Sequence, residues 1–372
     1  MLKNLLIGLF IVLMVFGQTA CQSDNGLNIS NHRVLVEKHE ASLKKIVLKG
    51  KTPQQRIKEY LKYKHINGSV VVFKNHKLII NEGFGYANFK AHKLNQPSTT
   101  YPIGSITKAF VATSIMQLQQ KGKLSIQDPL SKYIPNFPNG REIKLVHLLS
   151  HTSGIQKPRL QIWDTTPKDI IKEVEKRPLK FHPGARWDYE DINYFILGYI
   201  LEKVTGTTLH EYIQKNIFVP AGMKNSGFIT SENRFPASST GYLKLGQHMQ
   251  SIKTLNPYVL FGNGDIYTTA LDLSRFDQAF FGGKLVSKKT LKEMLRPRSI
   301  SKYGLGFYNY GNSIFSRGVL SGWESIHVYY KDKTQITILL NIHSKKTKIK
   351  TIVNDIYTIM NLKQSSNLKE SS

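Results

Sequence analysis

Two stretches of strand-like sequence lie at opposite ends of the chain, and most of what separates them reads as helix and loop. Ser69–Ile80 forms two β-branched, apolar runs about a turn at Asn75-His76, and Gly83–Asn88 extends the pattern. Ile326–Tyr330 and Gln335–Asn341 repeat it about a turn at Asp332-Lys333. Between them, Ile106–Lys121 places Ile106, Phe110, Val111, Ile115 and Leu118 at helical spacing. Tyr194–Val204 continues to a stop at Gly206. Thr269-Ala270-Leu271-Asp272 reads as a capping box ahead of Leu273–Phe280. Short helices are expected at Asp128–Tyr133 and Lys144–Ser150, and Lys348–Met360 is amphipathic. Strands from the two ends satisfy their backbone groups most simply by pairing with each other. The pattern therefore predicts an α+β fold, with an antiparallel sheet from N- and C-terminal segments, flanking helices and a helical insertion subdomain. No internal repeat is visible.

The chain has 372 residues and a single cysteine, which excludes a disulfide framework and Cys-rich zinc or iron–sulfur sites. That cysteine is informative through its place. Lys3 precedes the apolar run Leu5–Phe16, which is too short for a comfortable span, and Gln18-Thr19-Ala20 leads into Cys21 and polar sequence. Residues 1–20 read as a signal peptide with a lipobox-like end, Gln18 standing where an aliphatic residue is usual. Cys21 is then the lipidated N-terminus of a membrane-anchored protein facing the cell wall. Plain secretion and an uncleaved anchor are the other readings, and all three place the protein outside the cytoplasm. Residues 21–55 read as a lipid-anchored spacer with room for one helix, 56–362 as the folded domain and 363–372 as a frayed tail.

Export also reinterprets the charge. Lys+Arg number 52 against 25 Asp+Glu, a formal net charge of +27 that favours a polyanionic partner. No RNP or zinc-finger pattern supports nucleic acid. The polyanions outside a bacterium are teichoic acids and anionic head groups. Lysines are scattered, densest at Lys345, Lys346, Lys348 and Lys350. The 12 histidines show no metal-ligand spacing, and no metal or cofactor is expected.

Nucleophilic catalysis by serine needs a base within reach and donors for the oxyanion. Ser105-Ile106-Thr107-Lys108 supplies a Ser and a Lys on one helix face. S-x-x-K also begins at Ser42, Ser299 and Ser366, but only Ser105 follows a glycine at the mouth of a well-patterned helix.

Five ordered blocks then carry a resemblance: GSITKAF (Gly104–Phe110), LLSHTSGI (Leu148–Ile155), PGARWDYEDINYFILGYI (Pro183–Ile200), GNGDIYTTALDLSRF (Gly262–Phe276) and GVLSGW (Gly318–Trp323). Together they resemble the serine β-lactamase-related hydrolases, the class C β-lactamase and D,D-peptidase-like family, over roughly residues 60–360. The nearest look is to the penicillin-binding protein X type and the FmtA-like teichoic acid D-alanyl esterases. The resemblance implies that Ser105 is the nucleophile, Lys108 its base partner and Tyr189 the residue that protonates the leaving group. It aligns Asp191 with a position usually held by Asn. A carboxylate there favours the charged form of Lys108, and the FmtA-like members share it, which points to esterase work. The third motif aligns with Ser316-Arg317-Gly318. Gly318 is expected to let substrate pair along the strand, and the Val319 N–H to complete an oxyanion hole with that of Ser105. Ser316 lacks the usual cation; Arg317 either replaces it or points to solvent.

His151 is expected in a packing turn, Asp272 as a capping residue, and Trp187, Tyr194 and Trp323 as core or pocket wall. The resemblance thus implies an acyl-enzyme hydrolase of cell-wall D-alanyl substrates, most simply teichoic acid D-alanyl esters. A penicillin-binding D,D-carboxypeptidase or weak β-lactamase, and a non-catalytic wall-binding protein, are the alternatives.

Overall fold

The structure, a computed structural model, describes residues 29–47, 50–159, 166–233, 237–252, 255–344 and 348–362. The leader, Cys21, Lys345, Lys346 and the tail at 363–372 lie outside the described residues. The chain divides into two compact units, Met1–Ser42 and Leu43–Ser372. In the first, the described part belongs to the helix Ile29–Ile46; the fold below is that of the second. Among the described residues no helix is long and apolar enough to cross a membrane.

The sheet joins the chain ends as the sequence predicts. Its strands are β1 (Gly68–Lys74), β2 (Lys77–Phe84), β3 (Tyr308–Asn309), β4 (Ser313–Leu320), β5 (Trp323–Tyr330) and β6 (Thr334–Leu340). They run in the order β3-β4-β5-β6-β1-β2, antiparallel throughout. The junction is β1 on β6, in register from Gly68 opposite Leu340 to Lys74 opposite Thr334. Asn75, His76 and Lys333 adopt the left-handed backbone that tight hairpins require.

Both faces of this sheet are covered, which explains the unbroken apolar runs of β1 and β6. Val70, Val72, Ile336 and Ile338 pack with α1 (Pro53–Tyr63) and with α5, introduced below, through Ile57, Tyr60, Ile352 and Ile356. Val71, Phe73 and Leu339 belong to the larger core shared with the helical block. At its centre is α2 (Thr107–Gln120), buried from Thr107 to Leu118; its buried Thr113 and Ser114 hydroxyls are satisfied by donating to the Ala109 and Phe110 carbonyls. Phe110 stacks on Phe276 at 4.1 Å between ring centroids.

Local chemistry fixes the ends of the other helices. The chain of α3 (Ile192–Thr205) stops at Gly206, whose φ of 70° is the left-handed turn expected after a helix. In α4 (Ala270–Phe281), Thr269 caps the first turn by accepting the Asp272 N–H at 3.1 Å. The reciprocal half of the expected capping box is missing. The buried Asp272 carboxylate instead accepts the Asn225 N–H at 2.6 Å and the Arg275 guanidinium at 2.7 Å, so it ties two segments together. The C-terminal α5 (Ile349–Asn361) closes the sheet.

Candidate active site

Ser105 sits in a one-turn 3-10 helix, Gly104–Ile106, that feeds directly into α2. Gly104 has φ 52°, and a Cβ there would lie 3.0 Å from the Val319 carbonyl oxygen and 3.2 Å from the Val319 nitrogen. That approach brings the end of β4 against the serine turn. One helical turn on, Lys108 is 1% exposed. Its Nζ donates to Ser105 Oγ at 3.0 Å and to the Asn263 carbonyl at 2.9 Å, and pairs with Asp191 Oδ1 at 2.7 Å. Three acceptors match the three N–H bonds of an ammonium. The competing motif copies lack this setting: Ser42 and Lys45 are exposed, Lys302 has a left-handed backbone, and Ser366 lies outside the described residues.

Tyr189 and Asp191 come from the loop that enters α3. Burial first, then the neighbouring Asp191 charge, push the Tyr189 phenol far above its ordinary pKa, against a hydrogen bond from Ser105 that acts the other way. The phenol is therefore protonated at the serine hydroxyl. Asp191 occupies the N-cap position of α3 but makes no side-chain cap bond. Its side chain is 61% exposed even though it pairs with buried Lys108.

His151 supports this group from behind. It is fully buried at φ 57°, and its ring lies 4.2 Å from that of Tyr189. Its Nδ1 accepts the Glu190 N–H at 3.3 Å. Burial, and then the Lys108 charge, hold the imidazole well below the usual histidine range. It is a neutral platform in a turn, as its sequence block indicates. Tyr194 donates to the Leu149 carbonyl at 2.7 Å, and the Trp323 indole donates to Ser239 Oγ at 3.0 Å. Both are buried packing residues, while Trp187 is half-buried near Tyr189.

Strand β4 pairs with β3 only at Ile314 and Phe315, and from Ser316 on it alternates inward and outward. Ser316 points in and donates to the Gly306 carbonyl at 2.9 Å. Arg317 is ion-paired rather than free in solvent. Its Nη2 and Nε reach Glu324 Oε1 at 2.6 and 3.2 Å, and the Glu324 side chain is fully buried. Gly318 has a packing reason of its own. A Cβ at this buried position would fall 1.8 Å from the Ile103 carbonyl oxygen, so glycine permits the strand to press on the serine turn. Ser325 Oγ donates to that same carbonyl at 2.8 Å. Val319, 40% exposed, follows with its peptide beside Gly104. Gly318→Ala is expected to lose about 3 kcal/mol or more through overpacking. It should also slow acylation, because Val319 must move away; thermal unfolding and a single-turnover assay check both.

Two contributors were not singled out from sequence. Asn263 acts through its backbone carbonyl, which no residue pattern reveals, although the Gly262–Phe276 block that contains it was visible. Asp265 braces the same loop: its carboxylate accepts the Gly262 N–H at 3.2 Å and meets His210 Nε2 at 2.8 Å. Burial opposes the His210 charge, but the Asp265 carboxylate, with Glu202 and Glu232, outweighs it and raises the imidazole above its ordinary value. A group raised in the folded state adds stability that is complete below its unfolded pKa and lost as pH rises through the folded one. The thermal stability advantage of wild type over His210→Gln should therefore narrow from about pH 6 to pH 8. A gap that stays constant or widens would remove the charged pair. Among the described residues no group of His, Cys, Asp and Glu is arranged to hold a metal.

A serine and a buried lysine one helical turn apart, a tyrosine from a second segment and an adjoining antiparallel strand define a serine hydrolase of the β-lactamase type. The chain belongs to the Beta-lactamase family, which it matches over residues 53–313. It is 39% identical over 331 residues to PbpX of Bacillus subtilis (strain 168), named as a penicillin-binding protein, covering 88% of this chain and 83% of that protein. It is 30% identical over 339 residues to the teichoic acid D-alanine hydrolase of Staphylococcus aureus (strain MRSA252), covering 88% and 84%. The crystal structure of FmtA from Staphylococcus aureus superposes with a TM-score of 0.74 at 27% identity, over 87% of this chain and 96% of that one. The D-amino acid amidase of Ochrobactrum anthropi SV3, at 20% identity and a TM-score of 0.72, shares the fold.

Proposed function

We propose that this protein is an extracytoplasmic esterase that removes D-alanine from teichoic acid through an acyl-enzyme. The observation that carries this reading is the charge of the site. Asp191 offers an exposed carboxylate beside the serine, and the nearby cation, Arg317, is tied to buried Glu324. A D-alanyl ester presents a free α-ammonium, which such a site attracts. A peptide ending in D-alanine presents a carboxylate, which finds no free cation on β4. The similarity to the teichoic acid D-alanine hydrolase supports the same substrate class.

In this mechanism Lys108 first releases one ammonium proton to solvent; its amine takes the Ser105 proton as Oγ attacks the ester carbonyl and later replaces the proton that Tyr189 gives to the leaving oxygen. The Ser105 and Val319 N–H groups hold the developing oxyanion. The Tyr189 phenol, kept protonated by its surroundings, donates to the departing polymer hydroxyl. Water then attacks the acyl-enzyme, releasing D-alanine and restoring the serine proton. The signal peptide at residues 1–20 and lipidation of Cys21 would hold the enzyme at the membrane surface facing the wall.

Incubation with D-alanylated teichoic acid should release D-alanine, and Ser105→Ala should abolish release while preserving the fold. Covalent labelling by fluorescent penicillin together with pentapeptide trimming, and no D-alanine release, would replace this reading with a D,D-carboxypeptidase. Failure of an active-site fluorophosphonate to label Ser105 would leave a non-catalytic wall-binding protein.

A further inference from the structure

Among the described residues a large cavity lies away from the serine. It has a volume of about 820 Å³ and lies among the end of α1, the segment entering β1, the start of α5 and a hairpin spanning Tyr242–Leu245 and His248–Ser251. It shares no residue with the Ser105 site. Its floor is apolar, with Ile66, Leu340 and Ile352 buried. Its rim carries Lys64, Lys244 and Lys348, all exposed, and none of its fifteen lining residues is acidic. None of the three lysines pairs with a described carboxylate; Lys64 lies over the rings of Tyr60 and Tyr63 at 5.6 and 5.8 Å. Asp355 accepts the Tyr60 hydroxyl and does not line the cavity.

Like charges gathered around one concavity repel each other and raise its potential, so they favour an anion whose charges repeat. Tyr60, the one Phe, Tyr or Trp in the lining, is buried, and the exposed His65 imidazole is a single ring, too few for a run of successive nucleic-acid bases to stack. Exposed Gln247 and Thr351 lie among the cations and offer hydrogen bonds to hydroxyls. Cations for phosphates, polar side chains for hydroxyls and an apolar floor for carbon fit a chain of alternating polyol and phosphodiester.

We propose that this cleft is a second binding site, separate from catalysis, for a polyol-phosphate polymer. The choice of polymer rests on the esterase reading; the anionic specificity of the cleft does not. It would hold the polymer by its backbone while successive esters reach Ser105.

The test is direct binding of unsubstituted poly(glycerol phosphate), which carries no ester, to the full chain and to two charge-matched variants. Lys64→Gln/Lys244→Gln/Lys348→Gln empties the rim of charge. Lys288→Gln/Lys289→Gln/Lys292→Gln removes the same charge from the exposed face of the helix Lys288–Leu295. The rim variant should bind roughly tenfold or more weakly, and the slope of log affinity against log salt should fall by about 2, while the control changes little. Both variants should hydrolyse a small D-alanyl ester like wild type, so loss of esterase activity in every protein would indict the functional reading alone. Equal weakening in the two variants, or no binding by wild type, would overturn the site. Anionic phosphatidylglycerol vesicles form the second arm. A rim-dependent preference for vesicles over soluble polymer would assign the cleft to lipid head groups and overturn the polymer assignment.

Discussion

Lys108→Met is expected to lower kcat/KM for a D-alanyl ester by roughly three orders of magnitude, within the range of a lost acid–base group. Stability should change much less. The lysine stem is buried, and methionine follows the same path with a similar volume. Breaking a buried ion pair usually costs about 3–5 kcal/mol because the partner charge is stranded. Here the partner is Asp191, whose side chain is 61% exposed and remains solvated when the lysine goes. The Asn263 carbonyl loses a donor, a cost of about 1 kcal/mol. The combination of a nearly native melting temperature and an almost silent enzyme separates chemistry from folding. Lys108→Arg should not rescue activity, since a guanidinium cannot exchange its proton near neutral pH. Retention of more than about a tenth of wild-type turnover by Lys108→Met would remove this residue from the proton path.

The sheet and this Ser–Lys pair were legible in sequence for a shared reason. Each depends on neighbours at short, regular spacing. The apolar runs at Ser69–Ile80 and Gln335–Asn341 pair because both faces of their strands are buried, and Ser105 with Lys108 share a helix face by periodicity alone. What escaped depends on tertiary distance. Asn263 reaches Lys108 through a carbonyl, which every residue possesses. The fate of Arg317 is decided by Glu324 on the next strand, whose register no local pattern specifies. The packing reason for Gly318 lay out of reach, because the Ile103 carbonyl that excludes a side chain comes from a segment far away in sequence. Asp272 followed the capping-box spacing, yet its carboxylate was claimed by Asn225 and Arg275 once the chain folded. Sequence spacing thus brought Ser105 and Lys108 together, and packing determines the charge they see.

That charge can be inverted. Asp191→Asn should lower kcat/KM for a D-alanyl ester about tenfold, chiefly through KM, and leave the N-acetyl-D-alanyl ester nearly unaffected. Two charges 4 Å apart interact by about 1 kcal/mol in water and about 4 kcal/mol near a protein surface, and the exposure of Asp191 favours the lower figure. The acetylated ester is the control that separates two roles of one carboxylate. If Asp191 acts only by holding Lys108, both esters suffer equally; if it receives the substrate ammonium, only the charged ester does. Salt should weaken the wild-type preference for the same reason. Adding Glu324→Gln tests the other half of the inversion. Arg317 then loses the buried charge that holds it at 2.6 Å, and a guanidinium at the edge of the site becomes available to carboxylates. The double variant should be labelled faster by a fluorescent penicillin than wild type, while its D-alanyl esterase activity stays low. Equal loss on the two esters, with no gain in labelling, would mean that donor choice is made by shape alone and that the charges at Asp191 and Arg317 serve only the packing of the site.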